Sequence, residues 1–159
     1  GRDSHAEQNR RVKNRTPERS YLLIDGYNII YAWEDLKELA EDDIGAARDR
    51  LLDIMSNYAG FSDENVIVVF DAYRVSGGRG EVFRYHNIDV VYTKEAETAD
   101  LYIEKTSHEL VKKYRVTVAT SDAIEQVIIF GGGALRLSAR GLLEQIIAAE
   151  DEMREKYLK

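Results

Sequence analysis

The chain has 159 residues, 44% of them hydrophobic and 32% charged, which suits one compact domain with a core of its own and leaves no room for two. It contains no cysteine, so disulfides and thiolate metal sites are excluded and any metal must sit on oxygen or on the three histidines. The formal net charge is −7, and because residues 1–20 hold six basic and three acidic side chains, the remainder carries 16 basic against 26 acidic residues, about −10 in all.

An acidic domain lacks the basic surface that usually supplies affinity for phosphates, so any grip on nucleic acid must be local, metal-assisted or supplied by a partner. Residues 1–20 have almost no large apolar side chains and hold the single proline, which reads as a disordered basic tail or cloning remnant, with the folded domain expected over 21–159. No apolar run approaches the ~20 residues needed to span a bilayer, and no secretory signal pattern opens the chain. A cytoplasmic protein without membrane association is expected.

The first β-favouring run covers residues 21–24 and ends at Asp25 in YLLID. Asn28, three residues on in DGYN, is expected on the loop that follows, where its amide can donate to a phosphate or position a metal-bound water, or simply serve a turn. Over 43–58, Ile44, Ala47, Leu51, Ile54, Met55 and Tyr58 recur at helical spacing. A second run, 66–70, ends at Asp71 in VIVVFD. The glycines of VSGGRGE lack the Gly-Lys-Ser/Thr ending of a phosphate loop and do not open a helix, which leaves a loop carrying Arg74, Arg79 and Arg84 toward a substrate backbone or toward solvent.

A third run, 88–92, leads to a predicted helix over 98–114. Here Glu97, Asp100 and Glu104 fall at i, i+3 and i+7, which describes either a solvated acidic face or, for Asp100 in the first turn with Glu97 in support, a group pointing at the sheet edge. Glu104, a turn further on, is expected to pair with Lys105 or Lys112. A fourth run, 116–119, continues through Thr120 and Ser121 to Asp122, and the two hydroxyls can hold Asp122 or an attacking water, or serve the turn. A helix over 122–130 then stops at Gly131, Gly132 and Gly133. A fifth run, 134–137, precedes a helix over 138–157 in which Leu142, Leu143, Ile146, Ile147 and Met153 repeat at helical spacing.

Strands alternating with helices predict an α/β fold with a parallel sheet covered on both faces, which explains why VIVVF is apolar throughout. In such a sheet the carboxyl ends of the strands share one edge, so Asp25, Asp71 and Asp122 should converge there, with Asp100 beside them. Capping is the competing account and suffices for Asp122 before AIEQ. It fits Asp25 and Asp71 less well, because Gly-Tyr-Asn and Ala-Tyr-Arg are not clean helix starts. Carboxylates held together repel unless a cation joins them, and oxygen-only ligands select Mg²⁺ or Mn²⁺. Such an ion suits phosphodiester hydrolysis by an activated water.

The segments LLIDGYNII, VIVVFDAY, VVYTKEAETADLYIEK, VTVATSDAIEQ and LRLSARGLLEQI, in that order, resemble the bacterial YacP-like NYN-domain ribonucleases of the PIN-like superfamily, and the resemblance spans residues 21–157. It implies a three-layer α/β/α domain with a five-stranded parallel sheet ordered 3-2-1-4-5. It further implies metal-dependent endonucleolytic cleavage of RNA, with translation-linked messenger RNA as substrate class and the ribosome as a partner. Carried over by motif, the catalytic and metal-binding residues are Asp25, Asp71, Asp100 and Asp122, with Asn28 among the catalytic ones and Arg140 on the substrate side. The reading of the residues adds Glu97, Thr120 and Ser121 in support and Arg74, Arg79, Arg84 and Lys94 as further candidates to touch RNA. The chain stops soon after Tyr157, so a basic extension that would hold RNA or ribosome is not expected from it. The rival within this fold is a catalytically inactive RNA- or ribosome-binding module. A haloacid-dehalogenase phosphatase fails because Tyr27 stands where its second aspartate belongs. A phospho-receiver domain fails because Leu137, Ser138 and Ala139 offer no lysine.

Overall fold

Consecutive apolar residues in a strand require cover on both faces, and the structure, a computed structural model that describes residues 20–71, 80–121 and 133–158, supplies it. The strands are β1 (Ser20–Asp25), β2 (Glu64–Phe70), β3 (Val82–Tyr85), β4 (Ile88–Tyr92), β5 (Val116–Ala119) and β6 (Leu135–Leu137). They form one sheet in the order β3-β4-β2-β1-β5-β6, parallel throughout except for the antiparallel pair of β3 and β4. The five predicted strands therefore stand in the expected 3-2-1-4-5 order, and the correction is a sixth, antiparallel edge strand. VFRY escaped notice because it is short and mostly exposed. Its register comes from the tight turn at His86, which has φ 52°, and Asn87, and that turn sets Phe83 against Val90.

The helices are α1 (Gly26–Ala32), α2 (Glu34–Asp42), α3 (Ile44–Phe61), α4 (Ala99–Leu110) and α5 (Ala139–Leu158). The short α1 has no repeat that can be read from sequence, whereas α2 carries Leu36, Leu39 and Ala40 at helical spacing and was passed over. The first is only seven residues long and the second buries Leu36 alone. They form because tertiary contacts hold them: the Trp33 indole N–H at their junction donates to the Ala139 carbonyl at 2.8 Å. The longer helices carry local signals, with the Asp43 side chain accepting from Ala46 N at 3.1 Å ahead of α3 and Ser138 Oγ accepting from Gly141 N at 3.0 Å ahead of α5.

Alternation along β1 splits the core in two. Leu22 and Ile24 join Val66, Val68, Phe70, Ile88 and Val90 under α1, α2, α3 and α5, whereas Leu23 joins Val69, Val91, Val116 and Val118 under Ala99 and Ile103 of α4. The predicted helix over 122–130 and residues 1–19 of the tail predicted over 1–20 lie outside the described residues, while Ser20, the last residue of that tail, opens β1. Among the described residues, no helix is long and apolar enough to cross a membrane.

One carboxylate is out of place in this packing. Glu64 opens β2 with its Oε2 buried and without a hydrogen-bond partner, and burial raises its pKa. A folded-state pKa above the unfolded value means that stability present at low pH is lost as pH rises from about 4 through the raised value. Glu64→Gln is therefore expected to raise the melting temperature at pH 7.5 and to give no gain near pH 4. An equal gain at both pH values would assign the effect to packing.

Candidate active site

Asp25 closes β1 and is 4% exposed. Helix α1 begins at the next residue, so Asp25 occupies the N-cap position, yet its side chain makes no capping hydrogen bond. The expectation that Gly-Tyr-Asn does not start a helix is corrected, and Asn28 moves from a predicted loop into the first turn of α1. From there Asn28 Nδ2 donates to Asp25 Oδ2 at 3.3 Å. Its Oδ1 accepts from the Ser121 backbone N–H at 3.3 Å and from the Ser121 hydroxyl. Because β5 lies beside β1, with Ala119 level with Ile24, this one amide joins the carboxyl ends of two neighbouring strands. Thr120, between them, is fully buried and its backbone N–H donates to the Leu137 carbonyl at 3.1 Å, which extends the tie to β6.

On the other side of β1, Asp25 is level with Val69 of β2, and Asp71 follows two residues later. Asp71 Oδ1 accepts from the Ala99 backbone N–H at 2.6 Å, the first residue of α4, while the N-cap Thr98 accepts from Leu101 N at 3.1 Å. A carboxylate facing a helix N-terminus is favoured by the helix dipole, so this contact ties the end of β2 to the start of α4. Asp100, half-buried, stands in that first turn beside the Asp71 contact. Glu97 precedes the cap rather than lying on the helix. It pairs with Lys105 at 3.1 Å, and its carbonyl accepts from Thr93 Oγ1 at 2.7 Å. The expected partner of Lys105, Glu104, is thereby corrected, and Lys112 pairs with Glu109 at 3.2 Å. Asp122 lies outside the described residues.

The structure thus links Asp25, Asn28 and Ser121 directly and sets Asp71 against the turn that carries Asp100, all at the carboxyl edge of the sheet. Among the described residues, no three acidic or histidine side chains gather as a metal-holding group. Mg²⁺ commonly takes one or two protein carboxylates and keeps several waters, so the donor chemistry of Asp25 and Asp71 is compatible with it.

Of the basic candidates, Arg74 and Arg79 lie outside the described residues. Arg84 pairs with Asp89 at 3.0 Å across the β3 and β4 ladder, and Arg140 with Glu144 at 3.5 Å on the surface of α5. Both are engaged in exposed pairs that contribute little to stability. Lys94 is exposed and lays its stem against Gly80, where a Cβ would stand 2.7 Å from Lys94 Cγ. The cation that sequence reasoning passed over is Arg48. Its Nη1 donates to the Tyr27 hydroxyl at 3.2 Å, and the Tyr92 phenol is close enough to act on its charge. Burial works against its charge, the two phenols outweigh that, and its pKa is raised. Nothing in the residues around position 48 announces this, because Tyr27 and Tyr92 meet it only through the fold. An open groove of about 920 Å³ lies at the opposite edge of the sheet, between α3 and the β3–β4 turn, and none of the candidate acids lines it.

The profile of the YacP-like NYN domain matches residues 22–159. The Bacillus subtilis (strain 168) uncharacterized protein YacP is 44% identical over 139 residues, which covers 87% of this chain and 81% of that one. The crystal structure of Rae1 (YacP) from Bacillus subtilis superposes with a TM-score of 0.73 at 43% identity, over 86% of this chain and 79% of that one. A single-substitution variant of Rae1 (YacP) superposes with a TM-score of 0.74 at 43% identity, over 85% and 79%. NYN domains are nuclease-like, so these matches carry a nuclease-like, RNA-related class.

Proposed function

The chain belongs to the YacP-like NYN domain family, and from that premise we propose that it is a metal-dependent endoribonuclease cutting single-stranded RNA, with messenger RNA under translation as the substrate class and the ribosome as a partner that presents it. The observation that carries the proposal is Asp25. A carboxylate 4% exposed is costly unless it is hydrogen-bonded or holds a cation, and this one sits at a helix start without capping it. It is instead held by Asn28, whose own amide is oriented by Ser121.

Asp25 and Asp71, with Asp100 and Asp122 as further donors, would hold Mg²⁺ or Mn²⁺, which when bound would supply Lewis acidity and charge neutralisation at the phosphodiester. The chain's own groups do the positioning. Asn28 keeps the Asp25 carboxylate pointed at the edge, and Ser121 prevents the amide from turning over. Asp71 anchors the first turn of α4, the turn that carries Asp100. No protein nucleophile is required, and the histidines of the described residues, His86 in a hairpin turn and His108 late in α4, stand apart from these groups.

The test is incubation of end-labelled single-stranded and duplex RNA with the protein in Mn²⁺, in Mg²⁺ and in chelator. Internal cuts confined to single-stranded RNA and abolished by chelator are expected. Binding of RNA without cleavage in either ion would instead support the inactive module, and cleavage that persists in chelator would remove the metal from the mechanism.

A further inference from the structure

Four aromatic rings line up beneath the acidic edge. Tyr27 meets Phe70 at 5.0 Å between centroids, Phe70 stacks on Tyr92 at 5.5 Å and 24°, and Tyr92 stacks on Phe83 at 5.7 Å and 15°. The three inner rings are each neighbours in sequence of a candidate site residue: Tyr27 lies between Asp25 and Asn28, Phe70 precedes Asp71, and Tyr92 is two before Lys94. The series ends at Phe83. That residue lies near the start of β3, which runs antiparallel to the rest and so begins at the carboxyl edge where the acids are. Phe83 is 39% exposed, with its ring nearly parallel to Tyr92, so among the described residues it is the exposed end of the stack.

Arg48 belongs to the same surface. Its guanidinium donates to the Tyr27 hydroxyl and lies close enough to the Tyr92 phenol to interact with it electrostatically, and the Tyr92 ring stacks on Phe83. Among the described residues, no carboxylate pairs with Arg48, although acids outnumber bases in this chain. A guanidinium has five N–H donors, and two phenols leave several unused. A fixed positive charge beside an open aromatic face recognises one kind of ligand well: a single-stranded nucleic acid, which offers a phosphate and an unstacked base together.

We propose that Arg48 and Phe83 form a subsite for single-stranded RNA next to the acidic edge, Arg48 holding a backbone phosphate and Phe83 stacking a nucleobase. The subsite rests on the ribonuclease proposal and deepens it by explaining how an acidic domain grips RNA and why an unpaired strand is required. Duplex RNA keeps its bases stacked and cannot engage Phe83.

The experiment measures binding of a short single-stranded oligoribonucleotide to the full chain in chelator by fluorescence anisotropy, across a potassium chloride series, with duplex RNA alongside. Phe83→Leu, which keeps an apolar side chain, is expected to weaken single-strand binding roughly tenfold and to leave duplex binding unchanged. Arg48→Gln is expected to reduce the slope of log affinity against log salt by about 0.7, and Arg48→Lys to restore it, an effect that loss of packing alone does not produce. Circular dichroism identifies any variant that fails to fold, and the Arg48 pair then carries the test independently of Phe83. Unchanged affinity in Phe83→Leu, an unchanged slope in Arg48→Gln, or no binding by the unsubstituted chain overturns the subsite. Cleavage in Mn²⁺ with affinity unmoved by Phe83→Leu leaves the ribonuclease standing without the subsite, and affinity loss in a chain that does not cut leaves the subsite standing without the ribonuclease.

Discussion

Asp25→Asn is expected to lower the rate of RNA cleavage in Mn²⁺ by about a hundredfold or more, with the fold retained. Asparagine matches aspartate in size, so the buried space at the end of β1 stays filled and the start of α1 is undisturbed. The charge is what goes, and with it the proposed hold of this carboxylate on a divalent ion. The Asn28 amide, which donates to Asp25 Oδ2, would face a neutral carbonyl or a second amide. A companion measurement separates lost chemistry from lost structure. Millimolar Mn²⁺ should raise the melting temperature of the unsubstituted protein by mass action, and Asp25→Asn should remove most of that gain. In chelator the variant should melt no lower than the parent, since a buried charge has been replaced by a neutral group. Undiminished cleavage by Asp25→Asn would assign the activity to a contaminant.

Gly26→Ala is expected to destabilise the fold by about 2 kcal/mol, read as a fall of several degrees in melting temperature, and to depress cleavage along with it. A Cβ at position 26 would stand 2.5 Å from Phe70 Cδ1 and 3.0 Å from Phe70 Cζ. Phe70 has no route of escape, because its ring is fully buried and flanked by Tyr27 and Tyr92. Helix α1 must therefore lift away from β2, and α1 carries Asn28. Alanine's better helix propensity offsets only a small part of this at a first helical position. Adding Phe70→Leu should recover part of the loss, so that the double variant is more stable than the two single effects predict when summed. Strict additivity would show that the methyl and the ring do not meet.

Much of the architecture follows from local pattern. Runs of Val, Ile and Leu bounded by polar turns identify five strands, and the apolar repeats of α3 and α5 identify their helices. These signals are legible because each long element satisfies its own backbone and needs only one buried face to be recognised. The edge strand β3 went unread because it is short and exposed, although its partner β4 follows across a two-residue turn; α2 was passed over although Leu36, Leu39 and Ala40 stand at helical spacing; and α1 is too short to announce itself and depends on partners distant in the chain. Seven residues such as GYNIIYA nucleate poorly alone and become a helix only when Ile29 and Ile30 are taken into the core.

The acidic edge divides the same way. That Asp25 and Asp71 end neighbouring strands, and that Asp100 opens a helix, follows from sequence together with the rule that parallel strands finish on one side. What Asn28 touches, which base Glu97 pairs with, and the seat of Arg48 between two phenols were settled only by packing. Residue order specifies which backbone hydrogen bonds a segment can make, and this is a local property. Side-chain encounters between residues 21, 44 or 93 positions apart, as for Arg48 with Tyr27, Arg48 with Tyr92 and Asn28 with Ser121, exist only once crossover connections have brought strand ends together, and no local pattern encodes them.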